Sequence, residues 1–265
     1  MNLPSSPAKP SINWERNALD SEVEYSRALK SEAVEYLKFI HMYNAFVPWS
    51  GDFNRAVGVK ITDFQSFEEI ICQVERIHKE KNLERPDRYD IYSPTLDRSL
   101  WQDYLLEKGY KLDTAIFFCA PTLSEYLPSG FTLKVPSEQE YIDWYRHLIQ
   151  LRGYYDEQWF QMLVPLQLHF IRVFKPYWLL REGDLVGWVY CANLGEYVRL
   201  FEVEINQDFR GQGFGILLLR AIRMECDKPG AQFILLQSGE SLRNFYEKAG
   251  FRECASNSIV RLTEA

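Results

Sequence analysis

The chain has 265 residues, 46% hydrophobic and 25% charged, and at roughly 150 residues per domain this is about two globular domains, which excludes disorder, collagen and a disulfide scaffold. Its net charge of −7 divides into 15 basic and 20 acidic side chains over residues 1–130 and 15 and 17 over residues 131–265, so bulk charge makes neither half a nucleic-acid binder. Met1–Pro10 is a Pro/Ser-rich tail without a hydrophobic signal core, and no apolar run reaches the roughly 18 residues of a membrane span, so a cytoplasmic protein without a membrane partner is expected.

Ser21–Met42 is rich in Glu, Lys, Leu and Ala, with Val23, Leu29, Val34, Leu37 and Ile40 at mostly helical spacing, and predicts one or two helices. After the turn Val47–Gly51 come a strand Ala56–Ile61, an amphipathic helix Phe67–Lys81, a short strand Tyr89–Tyr92, a helix Asp97–Lys108 stopped by Gly109, and an apolar strand Thr114–Cys119. Pro121, Pro128, Ser129 and Gly130 punctuate the break between halves, and the expected division is 1–125 and 126–265. Beyond it are a strand Phe131–Val135, helices Ser137–Leu151 and Asp156–Phe170, and a hairpin of Tyr177–Leu180 and Gly187–Ala192. A strand Tyr197–Ile205, a helix Phe214–Cys226, a strand Ala231–Gln237, a helix Ser241–Ala249 ended by Gly250 and a last strand Ser258–Leu262 complete the order. The whole is an α/β (α+β) pattern of strands alternating with helices. Leu100–Tyr110 parallels Leu242–Phe251, each an aromatic-rich helix stopped by Gly before an aromatic residue that opens a strand, which favours duplication of one unit over coincidence.

Cys72, Cys119, Cys191, Cys226 and Cys254 form no Cys-x-x-Cys pair, and His41, His78, His147 and His169 lack metal-ligand spacing, so reduced thiols and no bound metal are expected. The chemistry concentrates in Arg210-Gly211-Gln212-Gly213-Phe214-Gly215, between a strand and a helix. Glycines there let backbone N–H groups converge at the positive end of a helix dipole, a pocket for pyrophosphate, with Arg210 as a cation at its lip. A dinucleotide fingerprint fails because its third glycine would fall on Ile216, and a P-loop fails for want of Gly-Lys-Ser/Thr.

This loop resembles the acetyl-CoA motif Arg/Gln-x-x-Gly-x-Gly/Ala of the Gcn5-related N-acetyltransferase (GNAT) superfamily. Tyr246-Glu247-Lys248-Ala249-Gly250-Phe251 resembles a second family segment, and the turn Glu182–Gly187 a third, so the likeness covers residues 131–265. It implies a mixed central sheet flanked by helices, with two tandem GNAT-like domains when the duplication is counted. Acetyl-CoA would then be the co-substrate. Main-chain contacts from the strand around Val203 and Ile205 and from Arg210, Gly211, Gln212, Gly213, Phe214 and Gly215 would hold it. The resemblance makes Tyr246 the acid for the departing thiolate, through a phenol pKa that the site depresses, and Glu202 the base for the incoming amine, with Glu204 and Glu196 as other candidates. The acceptor would be a primary amine, on a small molecule or a peptide, and a homodimer is an open arrangement. Two departures stand out. Gly239 occupies the position of a family asparagine seven residues before the tyrosine, and the first half has Thr62-Asp63-Phe64-Gln65-Ser66 where a glycine loop would lie, which makes it a degenerate lobe. Tyr43, Trp49 and Trp101 could add aromatic surface to an acceptor site, although packing in the core is the stronger reading. Besides the enzyme, a non-catalytic acyl-CoA-binding regulator and a transferase with another acyl donor fit the same motifs.

Overall fold

A computed structural model describes residues 13–28, 32–43, 54–61, 63–83, 88–91, 98–123, 126–153, 156–227 and 231–262. The Met1–Pro10 tail, the turn at Val47–Gly51, Trp49 and Tyr92 lie outside these residues.

The order is α1 (Trp14–Ala28), β1 (Glu32–Glu35), β2 (Ile40–Tyr43), β3 (Arg55–Val59), α2 (Phe64–Glu80), β4 (Arg88–Ile91), α3 (Arg98–Glu107) and β5 (Tyr110–Pro121) in the first half. The second half has β6 (Phe131–Lys134), α4 (Glu138–Leu151), α5 (Glu157–Val173), β7 (Lys175–Arg181), β8 (Asp184–Asn193), β9 (Tyr197–Ile205), α6 (Phe214–Asp227), β10 (Phe233–Gly239), α7 (Arg243–Lys248) and β11 (Arg252–Leu262). The expectation of one or two helices over Ser21–Met42 is corrected: α1 ends at Ala28, and a hairpin of β1 and β2 follows. Leu37, one of the apolar residues at helical spacing, is 93% exposed at the hairpin tip, where the Tyr36 amide donates to the Phe39 carbonyl. Pairing of β2 with β3 buries Met42 and outweighs the weak helical spacing of this stretch.

All eleven strands form one mixed sheet in the order β1-β2-β3-β4-β11-β5-β10-β9-β8-β7-β6. The halves interleave: β5, from the first half, pairs with β10, and β11, from the second, enters between β4 and β5. Both strands are longer than their expected cores Thr114–Cys119 and Ser258–Leu262, because each has a partner along both edges. Helix α1 also crosses between halves. Ala18 joins Phe117, Cys119, Tyr197, Phe233 and Leu235 in one buried cluster, and the Tyr197 hydroxyl donates to the Asn17 carbonyl at 3.1 Å.

Local signals explain the helix starts. Asp63 and Ser66 form a capping box for α2, Ser137 and Glu140 form one for α4, and the Asp156 carboxylate caps α5. On one face of the C-terminal sheet, α6 and α7 bury Leu218, Leu219, Ile222 and Tyr246 against Leu200, Ile234 and Leu236. On the other, α4 and α5 bury Tyr141, Phe160 and Phe170 against Trp178, Trp188 and Tyr190.

Candidate active site

Parallel β9 and β10 run together only from Phe233/Tyr197 to Leu235/Arg199. Beyond that point β9 continues to Ile205 and β10 to Gly239 without pairing to each other, so the strands part and leave a gap. A bulge assists the separation: the β8–β9 register shifts between Trp188/Glu204 and Tyr190/Phe201, and Glu202 sits inside it with φ of 47°. A β-branched or bulky residue would resist that conformation, whereas a local bulge commonly re-aims a side chain beside a site.

Gly211 and Gly213 have φ of 76° and 82°, a region that favours glycine, and a Cβ on either would meet nothing within 4 Å. Gly215 is needed for another reason, since a Cβ there would come within 2.9 Å of the Phe245 ring. Ile216 and Leu217 are the first amides of α6 to return to a main-chain acceptor, both onto the Gly213 carbonyl. By helix geometry the amides before them have no intrahelical partner, and they border the open space over Gly211 and Gly213. The Arg210 guanidinium donates to the Ile205 carbonyl at 2.9 Å and reaches Glu204 at 3.4 Å, which ties the lip of the loop to the end of β9. Gln212 donates to the Asp208 carbonyl and closes the turn. A dipole-backed loop open to solvent, beside a gap lined by main chain, fits a pyrophosphate followed by an extended pantetheine arm.

A cavity of about 210 Å³ lies where the strands part, walled by Arg199–Val203 of β9, Leu236 and Gln237 of β10, Tyr246 of α7, Glu22 of α1 and Arg55 of β3. Tyr246 is 6% exposed, against the rings of Phe118, Phe245 and Phe251. Burial raises its phenol pKa, and the Ser238 hydroxyl and the positive charge of Arg199 only partly offset the rise. The expected depression is therefore corrected: desolvation disfavours the phenolate, so Tyr246 remains a neutral donor.

Glu202 borders the cavity, and its charge helps to raise the phenol pKa values of Tyr141, Tyr145 and Tyr190, for each of which burial is the larger cause. Those tyrosines are linked: the Tyr141 hydroxyl lies 2.9 Å from that of Tyr190 and 2.9 Å from Gln167 Oε1, and Gln167 Nε2 donates to Tyr145 at 3.3 Å. Glu204, by contrast, is engaged by Arg152 at 2.7 Å and by Arg210. Glu196 is exposed on the loop before β9, and its carbonyl accepts from the Gln232 amide. Val203 and Ile205 pack against the α6 side of the core. Trp101 is buried in a cluster of first-half residues and Val260, in agreement with packing rather than site surface, and Tyr43 lies beside His41 at the end of β2.

Sequence reasoning missed Glu22, Arg55, Arg199 and Ser238. Both Glu22 oxygens are engaged: Oε1 by the Arg199 guanidinium at 2.8 Å and Oε2 by that of Arg55. A charge inside an apolar strand was the available signal, in Val198-Arg199-Leu200 and Arg55-Ala56-Val57. Among the described residues, no group of three or more His, Cys, Asp or Glu could hold a metal, and no helix is long and apolar enough to cross a membrane.

Splayed parallel strands, a bulge at their parting and a glycine turn opening the next helix agree with the resemblance to the GNAT superfamily. In keeping with it, residues 174–253 match the family model described as the acetyltransferase (GNAT) domain. The [ribosomal protein bS18]-alanine N-acetyltransferase of Haemophilus influenzae is 32% identical over 77 residues, which are 28% of this chain and 53% of that protein, so the chain spans about half the length of this curated relative. In fold, a GCN5-related N-acetyltransferase from Kribbella flavida aligns with a TM-score of 0.66 at 15% identity over 96% of this chain and 98% of its own. A tandem GNAT protein from the clavulanic acid biosynthesis pathway aligns at 0.53 and 11% identity, over 86% and 79%. The chain thus has a mixed-sheet fold similar to that of these GNAT proteins.

Proposed function

We propose that the protein is an acetyl-CoA-dependent N-acetyltransferase that acts on a primary amine by direct attack, with residues 126–265 as the catalytic unit and 1–125 as a degenerate GNAT-like lobe. The observation that carries this reading is the cavity at the parting of β9 and β10, where Glu202 and Tyr246 share a wall. Arg210, Gly211, Gln212, Gly213, Phe214 and Gly215 hold the pyrophosphate, and the main chain at Val203 and Ile205 holds the pantetheine arm. Acetyl-CoA supplies the thioester carbon that the amine attacks. Glu202, through a water, takes the proton the ammonium must lose before its lone pair is available. Backbone N–H groups of β9 polarise the carbonyl oxygen as charge develops on it. As the C–S bond breaks, Tyr246 donates its O–H to the sulfur. A phenol of raised pKa favours a strong hydrogen bond to the thiolate over complete transfer, since a thiol ionises near about 8.5. Ser238 orients that phenol. The acceptor class is open between a small molecule and a peptide. The Haemophilus influenzae relative is named for a protein alanine, which supports an α-amine as one candidate.

Isothermal titration with acetyl-CoA, followed by free-thiol release against an amine panel, tests the proposal. Binding together with amine-dependent thiol release is expected. Binding without release from any amine would favour a non-catalytic acyl-CoA-binding regulator, and no binding removes the reading altogether.

A further inference from the structure

Strand β10 leaves the sheet while its neighbour β5 is still paired. The β10–β5 ladder ends at Gly239/Ala115, after which Glu240–Leu242 turn away into α7. On its other edge β5 is held by β11 as far as Leu262/Tyr110. Lys111, Leu112, Asp113 and Thr114 are therefore fixed as a strand by β11, and among the described residues no strand pairs with them on the β10 side. Such an edge presents main-chain N–H and C=O groups as a template for another extended chain. A cavity of about 710 Å³, within the roughly 300–1,000 Å³ of ligand sites, lies along it, lined by Leu112 and Thr114 of β5, Ile259 of β11 and Gln237, Ser238 and Gly239 of β10. Two buried polar atoms beside this cavity have no hydrogen-bond partner among the described residues. One is Thr114 Oγ1, and the other is Nδ2 of Asn257, a side chain 4% exposed that stands opposite Ala115 and accepts from Gln237 through Oδ1 at 3.5 Å. Buried polar groups are nearly always paired, so an orphaned hydroxyl and an orphaned amide at one cavity mark a place for a polar ligand. The cavity also reaches the proposed chemistry. Gln237 lines both it and the cavity where β9 and β10 part, and the Ser238 hydroxyl bonds the Tyr246 phenol. A Cβ on Gly239 would meet nothing within 4 Å, so the space over the end of β10 is open.

We infer that the acceptor is the N-terminus of an extended peptide, which takes up the track that β10 vacates. Its first residue lies opposite Thr114, the next three run antiparallel to β5 towards Lys111 over about 10 Å by strand rise, and its α-amine faces the end of β10 beside Ser238. This rests on the reading of the protein as an N-acetyltransferase. Main-chain hydrogen bonds supply the affinity, so length and backbone form, rather than side chains, select the acceptor. The N-terminal half thereby takes a direct part in substrate choice, because β5 belongs to it.

The test uses the full chain and pentapeptide amides that open with each of the twenty amino acids, each shortened in turn to its tripeptide, dipeptide and single amino-acid amide. Binding is read by calorimetry in the presence of CoA, and turnover by thiol release from acetyl-CoA. For at least one sequence the pentapeptide should exceed the single amino-acid amide by tenfold or more in affinity and in kcat/KM. Alternate residues of an antiparallel strand turn their N–H groups to the partner. N-methylation of the second and fourth residues should therefore differ from that of the third and fifth, one pair removing the gain and the other leaving it. Thr114→Val, which keeps the shape and removes the orphaned hydroxyl, should weaken the pentapeptide about fivefold with acetyl-CoA affinity unchanged; an unchanged peptide affinity would place the peptide away from this edge and overturn the inference. If Thr114→Val fails to fold, the wild-type methylation pattern decides alone. Single amino-acid amides used as well as pentapeptides, or a gain with length that is the same in both methylation phases, would overturn the inference and leave the N-acetyltransferase reading standing. Phase-dependent peptide binding without thiol release would sustain the peptide groove and remove the transferase reading. No binding of any peptide would overturn the inference.

Discussion

Tyr246 and Gly213 illustrate two ways in which single residues serve the proposed chemistry. The Tyr246 phenol is held neutral by burial, so its donor form persists through the neutral range. Tyr246→Phe should therefore lower kcat about 10²-fold or more while acetyl-CoA affinity stays within twofold, and the wild-type kcat should show no decline from this phenol across the neutral range. Stopped-flow thiol release over a pH series checks both. Equal kcat would return Tyr246 to packing alone. At Gly213 a new side chain has room but the wrong backbone: φ of 82° costs a non-glycine residue about 1–2 kcal/mol. Gly213→Val should abolish acetyl-CoA binding in calorimetry, because its methyl groups occupy the space over the amides, with a thermal midpoint only a few degrees lower. Unchanged affinity would remove the loop from the CoA site. His41 is a third instructive residue. It is fully buried, neither ring nitrogen has a hydrogen-bond partner among the described residues, and burial, with repulsion from His78 and Lys81, lowers its pKa to about 3. The unfolded chain takes up this proton near pH 6.5 and the folded chain only near 3, so stability is full above about 6.5 and falls with acid by up to about 1.4 kcal/mol per pH unit. Denaturant titrations at several pH values should show a shallower acid limb for His41→Phe; an identical limb would assign the acid loss to other groups.

At the level of elements, α1 is the one whose role differs most from its local sequence character. It begins the chain's described part, yet it packs on β5, β9 and β10 through Ala18 and presents Glu22 to guanidiniums from β3 and β9. Glu22→Gln removes a charge shared by two buried arginines, and breaking a buried pair in this way costs roughly 3–5 kcal/mol. The unfolding midpoint in urea should fall accordingly, and a change under 1 kcal/mol would show that the arginines are compensated elsewhere. The start of α4 was legible at Ser137, whereas α2 begins at Phe64, three residues before its expected start at Phe67, because Asp63 and Ser66 cap it within the stretch read as a loop. The β1–β2 hairpin was not legible, because its strands are four residues each and gain their burial from α1 and β3 rather than from a pattern of their own.

Across the whole molecule, the exchange of β5 and β11 joins two sequence halves into one sheet. A fragment of residues 126–265 would leave β10 without its β5 edge and β11 without partners on either side. Such a fragment should be insoluble or lack a cooperative transition, whereas the full chain should unfold in one calorimetric step; a stable fragment that binds acetyl-CoA would place all folding determinants in the second half. The boundary at 125 separates similar element orders, but the sheet crosses it.

The sequence by itself determined the glycine turn at Arg210–Gly215, the Tyr246 segment and the alternation of helices and strands, because these depend on contiguous residues: backbone conformation, helix caps and side-chain periodicity act within one element. Tertiary structure alone decided where β9 and β10 part, that Glu204 is occupied by Arg152 and Arg210 while Glu202 borders the cavity, and that Glu22, Arg55 and Arg199 meet. Those outcomes depend on strand pairing and on charges brought together from positions up to 177 residues apart, and no local pattern encodes which distant edge a strand will find.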